Sequence, residues 1–155
     1  MADIRNVWLH AHNMLRSARQ IINQNLRPLG LSSAEGNILL HLLTQSEDMP
    51  QEQIGAVLDI SKPAVSRALD TLEAKGLIAR LADPADRRVR RVQLTARARA
   101  IGPSVEQVYN QLYTAAMEDI TPEELAEFTR LFGRMAENFT RAQAQIKAEE
   151  HDSAQ

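Results

Sequence analysis

Apolar positions recur at helical spacing along most of the chain and change to strand-like spacing once. Ile4, Val7, Trp8, Leu15, Ala18, Ile21, Ile22 and Leu26 draw one long helical stripe, which Pro28 and Gly30 end. Ser32 and Glu35 form a capping box that opens a helix with Ile38, Leu39, Leu42 and Leu43 on its inner face. Residues 46–50 read as a loop, and Pro50 begins a short helix on which Ile54, Val57 and Leu58 share a face. Beyond Asp59-Ile60-Ser61 a second short helix buries Val65, Ala68, Leu69 and Leu72. Ser61 suits its N-cap, Pro63 its first turn, and Lys75-Gly76 a left-handed end. Leu77, Ile78 and Leu81 then begin a strand, Asp83-Pro84 turns it, and Val89, Val92 and Leu94 bring it back. Thr95 caps another helix, which Gly102-Pro103 is expected to kink or break and which continues through Val105, Val108 and Leu112. Thr121-Pro122-Glu123-Glu124 is a second capping box, and it opens a last helix carrying Leu125, Phe128, Leu131, Phe132, Met135 and Phe139. Glu149 to Gln155 reads as a frayed tail.

This pattern predicts a mainly α fold with a small β-hairpin wing. Residues 31–95 form a helix-turn-helix head with that wing. Residues 1–30 and 96–148 supply N- and C-terminal helices, and 149–155 a flexible tail. The terminal helices carry more apolar surface than a small head can cover. They are therefore expected to act as dimerisation helices of a homodimer, with a bundle inside one chain as the alternative.

Charge sharpens the picture. The net charge is −2, but residues 61–99 carry ten basic and four acidic side chains, a local surplus of +6. Arg87, Arg88, Arg90 and Arg91 place four arginines within five residues at the hairpin, where like charges repel unless a polyanion is near. There is no cysteine, which excludes disulfides and thiolate metal sites. The histidines at 10, 12, 41 and 151 make no compact metal motif, and His10 and His12 stand two apart, off a common helix face. No metal or cofactor is expected. Phosphate loops, nucleophile elbows and paired-histidine motifs do not occur, so no enzyme is expected. The first residues lack an apolar signal segment and no run approaches ~18 apolar residues, which points to a cytoplasmic protein without a membrane span.

From Leu31 to Thr95 the chain resembles the MarR (multiple antibiotic resistance regulator) family of winged helix-turn-helix transcription factors. The resemblance rests on LSSAEGNILLHL, the helix pair joined by DIS, SRALDTLEAKGLIAR, and DPADRRVRRVQLT. Ala96-Arg97-Ala98 stands where the family commonly has a glycine after Leu-Thr. The resemblance implies a sequence-specific regulator of transcription, read as a homodimeric repressor of a pseudo-palindromic operator in double-stranded DNA. It places Ser61, Lys62, Ala64, Ser66 and Arg67 on the recognition helix that meets the major groove. It pairs Asp86 with Arg88 as an Asp-x-Arg element whose aspartate orients an arginine into the minor groove. Arg87, Arg90 and Arg91 are then backbone contacts or alternates for the groove arginine, and strand alternation sets Arg87 and Arg91 on one side and Arg88 and Arg90 on the other. The resemblance also implies release by a small aromatic or anionic effector, for which Trp8, His12, Arg16 and His41 are candidate contacts. A winged-helix module for protein–protein contact without DNA, and a metal-responsive regulator, are the competing readings.

Overall fold

The computed structural model describes residues 4–45, 48–58 and 60–153, with side chains up to residue 149. In chain order the elements are α1 (Ile4–Leu26), a 3₁₀ turn (Arg27–Leu29), α2 (Ser33–Thr44), β1 (Met49–Pro50), α3 (Gln51–Leu58), α4 (Lys62–Ala74), β2 (Ile78–Ala82), β3 (Arg90–Leu94), α5 (Ala96–Ala116) and α6 (Pro122–Ser153). They fall into two compact units, one ending at Thr114 and one beginning at Ala115. The fold is mostly helical with a small antiparallel wing, as the pattern predicts.

In the first unit, Leu26, Ile38, Leu39, Ile54, Val65, Leu69, Leu72, Val92 and Val105 form the fully buried centre. The helix-turn-helix follows its apolar stripes, with one difference. Val57 stays 53% exposed. Ile54 and the half-buried Leu58, four residues apart, define the inward face of α3, and Val57 lies to one side of it. At the other end of α4, Gly76 takes φ 68°. Its amide donates to Glu73 O at 2.9 Å and the Leu77 amide donates to Leu72 O at 2.9 Å, the paired bonds of a left-handed helix stop.

That stop delivers Lys75 to Glu35. The capping box forms as read: the Glu35 amide donates to Ser32 Oγ, and the Ser32 amide donates to Glu35 Oε2 at 2.7 Å. The sequence pattern does not show that Glu35 is also buried, at 4% exposure. Lys75 Nζ donates to both its carboxylate oxygens, at 2.8 and 2.9 Å, and to Gly30 O at 2.7 Å. One ammonium thus joins the end of α1, the start of α2 and the end of α4.

The sheet has three strands in the order β1-β3-β2, all antiparallel. β2 and β3 pair from Ile78 opposite Leu94 to Ala82 opposite Arg90. The additional strand is β1, where Met49 lies opposite Val92, inside the stretch read as a loop. Two residues are too few to show alternation, and Pro50 is tolerated because β1 is an edge.

Of the kink or break expected at Gly102-Pro103, the break does not occur, for α5 runs from Ala96 to Ala116 with Pro103 inside it. Gly102 is buried against Leu43, and a Cβ there would lie 2.9 Å from Leu43 Cδ2. Packing at this close approach holds the helix across the one amide that proline removes. Thr95 caps it as read, accepting from the Ala98 amide.

On α1 the buried residues are Ile22 and Leu26, while Ile4, Val7, Trp8, Leu15 and Ile21 are 40–63% exposed. In the second unit, Thr121 and Glu124 form the predicted capping box at the start of α6. Leu125, Phe128, Leu131, Phe132 and Phe139 are 40–57% exposed along it. The backbone of α6 stays helical to Ser153 where a frayed tail is expected from Glu149. The alanines, glutamines and lysine of residues 142–148 just before it propagate a helix well, and Glu149 and Glu150 extend it. Ala154 and Gln155 lie outside the described residues.

Lys75→Ala should strand the Glu35 carboxylate without its cation. An unfolding free energy lower by about 2–4 kcal/mol is expected in urea titration, close to the range for a broken buried pair. An unchanged midpoint would show that the pair contributes nothing.

Candidate nucleic-acid interface

Two surfaces of the first unit concentrate the sequence-predicted residues. The first is the N-terminal half of α4. Ser61 stands at the N-cap with extended backbone, but its hydroxyl makes no cap hydrogen bond. Pro63 has no amide hydrogen to offer at the second helical position, so one usual donor to a cap is missing. Among the described residues, no hydrogen bond engages the Ser61 hydroxyl or the first-turn amides of Lys62 and Ala64. Lys62 lies 3.6 Å from Glu52, with both side chains more than 80% exposed, a pairing too solvated to hold it. Arg67 is exposed, while Ala64 and Ser66 are half-buried.

The second surface is the wing. Arg87, Arg88 and Arg90 are exposed, and no ion pair engages them among the described residues. Arg87 and Arg88 lie in the turn before β3, not on a strand, so the expected alternation of sides does not apply to them. The Asp86 carboxylate does not hold a guanidinium here. It accepts the Arg88 backbone amide at 3.0 Å, while its carbonyl accepts the Val89 amide at 2.9 Å. It shapes the tip instead of gripping a side chain. The carboxylate that does grip an arginine is Asp83, which takes Arg91 Nη1 at 3.1 Å. Backbone bonding from Ala85, then the Arg91 guanidinium, hold its carboxyl below the usual range. Arg88 and Arg90 line a cleft together with Pro50, Gln51 and Glu52, so the wing faces the start of α3.

Arg80 joins the wing to α4. From β2 it donates through Nη2 to Glu73 at 2.6 Å, lies 2.7 Å from Asp70, and gives its backbone amide to Glu73 at 3.2 Å. The sequence shows these three residues but not their meeting, since strand register decides it.

His41 lies apart from both surfaces. It lines a cleft of about 270 Å³ with Asn37, Leu40, Thr44, Leu58, Tyr109 and Tyr113. Its Nε2 is buried without a hydrogen-bond partner among the described residues. The Tyr109 hydroxyl donates to Asn37 Oδ1, and burial pushes that phenol well above its ordinary pKa, which keeps it a neutral donor. Trp8, His12 and Arg16, all on α1, do not line this cleft. Asn37, Tyr109 and Tyr113 were not singled out from sequence. The signal available was the spacing of four between the chain's two tyrosines. Among the described residues no group of three or more histidine, aspartate or glutamate side chains could hold a metal. No described helix is long and apolar enough to cross a membrane.

Residues 29–89, which hold the helix-turn-helix and most of the wing, match the model of the MarR family. The match covers that part of the chain. Solved structures of MarR proteins are similar over nearly all of its length. A MarR transcriptional regulator from Methanosarcina mazei Go1 superposes with a TM-score of 0.79 at 21% identity, covering 91% of this chain and 94% of its own. A MarR-family regulator from Silicibacter pomeroyi gives 0.71 at 26% identity, covering 83% and 86%. A mutant MarR from E.coli complexed with operator DNA gives 0.75 at 26% identity, covering 85% and 94%. These neighbours are transcriptional regulators rather than enzymes.

The Arg80 clamp has a pH signature. Glu73 is held below the usual carboxylate range, chiefly by the Arg80 side-chain hydrogen bond. A carboxylate that titrates lower when folded contributes stability above its unfolded value of about 4.3, and that contribution is lost as pH falls through the folded value. In an NMR pH titration, Arg80→Ala should return the Glu73 carboxyl to the ordinary range. The difference in Tm between the two proteins should be full at neutral pH and shrink in acid. A Glu73 titration that ignores the substitution would refute the clamp.

Proposed function

We propose that this chain is a sequence-specific DNA-binding transcriptional regulator that acts as a homodimeric repressor. The observation that carries the reading is the coincidence of two free cationic surfaces, the start of α4 and the wing, on one MarR-family head. The E.coli neighbour in complex with operator DNA supports it. In this reading Ser61 and the first-turn amides of α4 seat a phosphate, as helix N-termini do. Lys62 and Arg67 bind phosphate or guanine, Ser66 reaches a base edge or phosphate, and Ala64 meets a thymine methyl. Asp86 shapes the tip that presents Arg88 to a narrow minor groove, with Arg87 and Arg90 on the flanking backbone.

The exposed apolar faces of α1 and α6 support a homodimer, since exposed patches of this kind mark interaction surfaces. A two-fold pair of heads reads a pseudo-palindromic operator with half-sites about one helical turn apart. The His41 cleft supports a small aromatic or anionic effector: Tyr109 and Tyr113 offer ring faces, and His41 Nε2 offers an unused polar atom. Trp8, His12 and Arg16 stand at spacings of four on one face of α1, away from the residues lining this cleft, and offer a separate place for such a molecule.

Fluorescence anisotropy with duplex DNA from upstream of the chain's own gene, beside a scrambled duplex and across a salt series, tests the reading. Tight, selective binding that weakens with salt is expected. Arg88→Ala should lower affinity and reduce the log–log salt slope by about 0.9, because a cation in the minor groove neutralises about one phosphate charge, while leaving Tm nearly unchanged. Weak, salt-insensitive binding to both duplexes would favour the protein-contact module. Adding phenols or aromatic carboxylates to the same assay reads out the effector.

Leu131→Asp places a charge on the exposed apolar face of α6. Sedimentation should show monomers, and operator affinity should fall at least tenfold, or about 1.4 kcal/mol. A fully active dimer after that change would remove α6 from the interface.

A further inference from the structure

Arg91 is the one wing arginine of the cluster 87–91 that is held inside the protein, among the described residues. It sits on the central strand β3, opposite Leu81 on β2 and Pro50 on β1. Val92 and Leu94 turn into the core, so Arg91 and Gln93 share the other face of the strand. Both ends of the Arg91 fork are occupied. Nη1 donates to Asp83 Oδ2 at 3.1 Å, and Nη2 donates to Asp48 O. Gln93 Nε2 donates to the Asp48 carboxylate at 2.9 Å, fixing the same residue from its other side. The Arg91 and Asp83 side chains are 31% and 17% exposed, whereas Arg87, Arg88 and Arg90 are open to solvent.

We infer that Arg91 is a positioning residue of the wing and not a phosphate contact. The functional consequence rests on the DNA-binding reading above; the clamp itself does not. The other oxygen of Asp83 accepts the Ala85 amide at 2.8 Å and the Asp86 amide at 3.4 Å, and these bonds fold the turn that carries Arg87 and Arg88. Arg91 therefore holds Asp83, Asp83 holds the turn, and the turn aims the two arginines at its tip. At its other end Arg91 ties this arrangement to Asp48, where the chain enters β1. A phosphate could recruit Arg91 only by stripping a half-buried carboxylate and a carbonyl of their donors, a cost that the other three arginines do not face.

The test uses a duplex selected by the wild-type protein from a random pool, with Arg91→Gln, Asp83→Asn and Arg88→Ala compared across a sodium chloride series. Arg91→Gln and Asp83→Asn should each weaken binding about tenfold at every salt concentration, with the wild-type slope retained. Arg88→Ala should instead lose about 0.9 from the slope. Asp83→Asn gives the discriminating sign: removing a negative charge near DNA raises affinity by charge alone, so a fall marks lost positioning. Hydrogen exchange on the free protein supplies an arm that needs no DNA. Both clamp variants should exchange faster at the amides of Ala85, Asp86 and Val89, with α4 unchanged. A slope loss in Arg91→Gln equal to that of Arg88→Ala, tighter binding by Asp83→Asn, or unaltered exchange in the wing would each overturn the inference. A wild-type protein that binds no DNA at any salt would refute the DNA reading, and the exchange arm would still decide the clamp.

Discussion

The head is built around a charge that has to be neutralised. Glu35 lies at the start of α2 because a capping box needs an acceptor at that position, and the folding of α1 and α4 around it removes it from water. A carboxylate in that setting is tolerated only when its oxygens are met, and Lys75 meets both. Lys75 can do so only if α4 ends where Gly76 reverses the chain. The last turn of α4 is therefore set by the first turn of α2. This is the link between the helical part of the unit and the part that faces outward.

The same economy governs the other cations. Lys75, Arg80 and Arg91 are turned inward, onto Glu35, onto Asp70 and Glu73, and onto Asp83. Together they tie α4, the wing strands and the wing turn into one frame. Arg67, Arg87, Arg88 and Arg90 are left outward. A positive surface needs both classes, because free arginines on an unbraced hairpin would lose too much conformational freedom on binding.

Alongside this rigid head the chain carries surfaces that are incomplete by themselves. The apolar faces of α1 and α6 stay exposed in a single chain, and the cleft at His41 holds a buried ring nitrogen without a partner. His41 is on α2, the helix that Glu35 and Lys75 connect to α4. A molecule bound beside His41 would thus act on an element already joined to α4.

The helices, both capping boxes, the left-handed stop at Gly76 and the location of the wing were legible in the sequence. Each depends on residues within a few positions of one another, and local spacing carries that information. The family resemblance was legible for the same reason, since its motifs are short contiguous runs. Four things were not. β1 is too short to show a period, and its pairing with β3 crosses more than forty residues. Pro103 reads as a breaker, and only the packing of Gly102 on Leu43 shows why the helix continues. The Asp86–Arg88 pairing was what the family resemblance implied, but the turn spends Asp86 on a backbone amide and brings Asp83 to Arg91 instead. Finally, sequence composition counts four wing arginines as equal. The chain alone determined that they would cluster in the hairpin that follows the helix-turn-helix. Tertiary structure decided which three face outward and which one is held, because that choice depends on strand register and on carboxylates brought in from other segments.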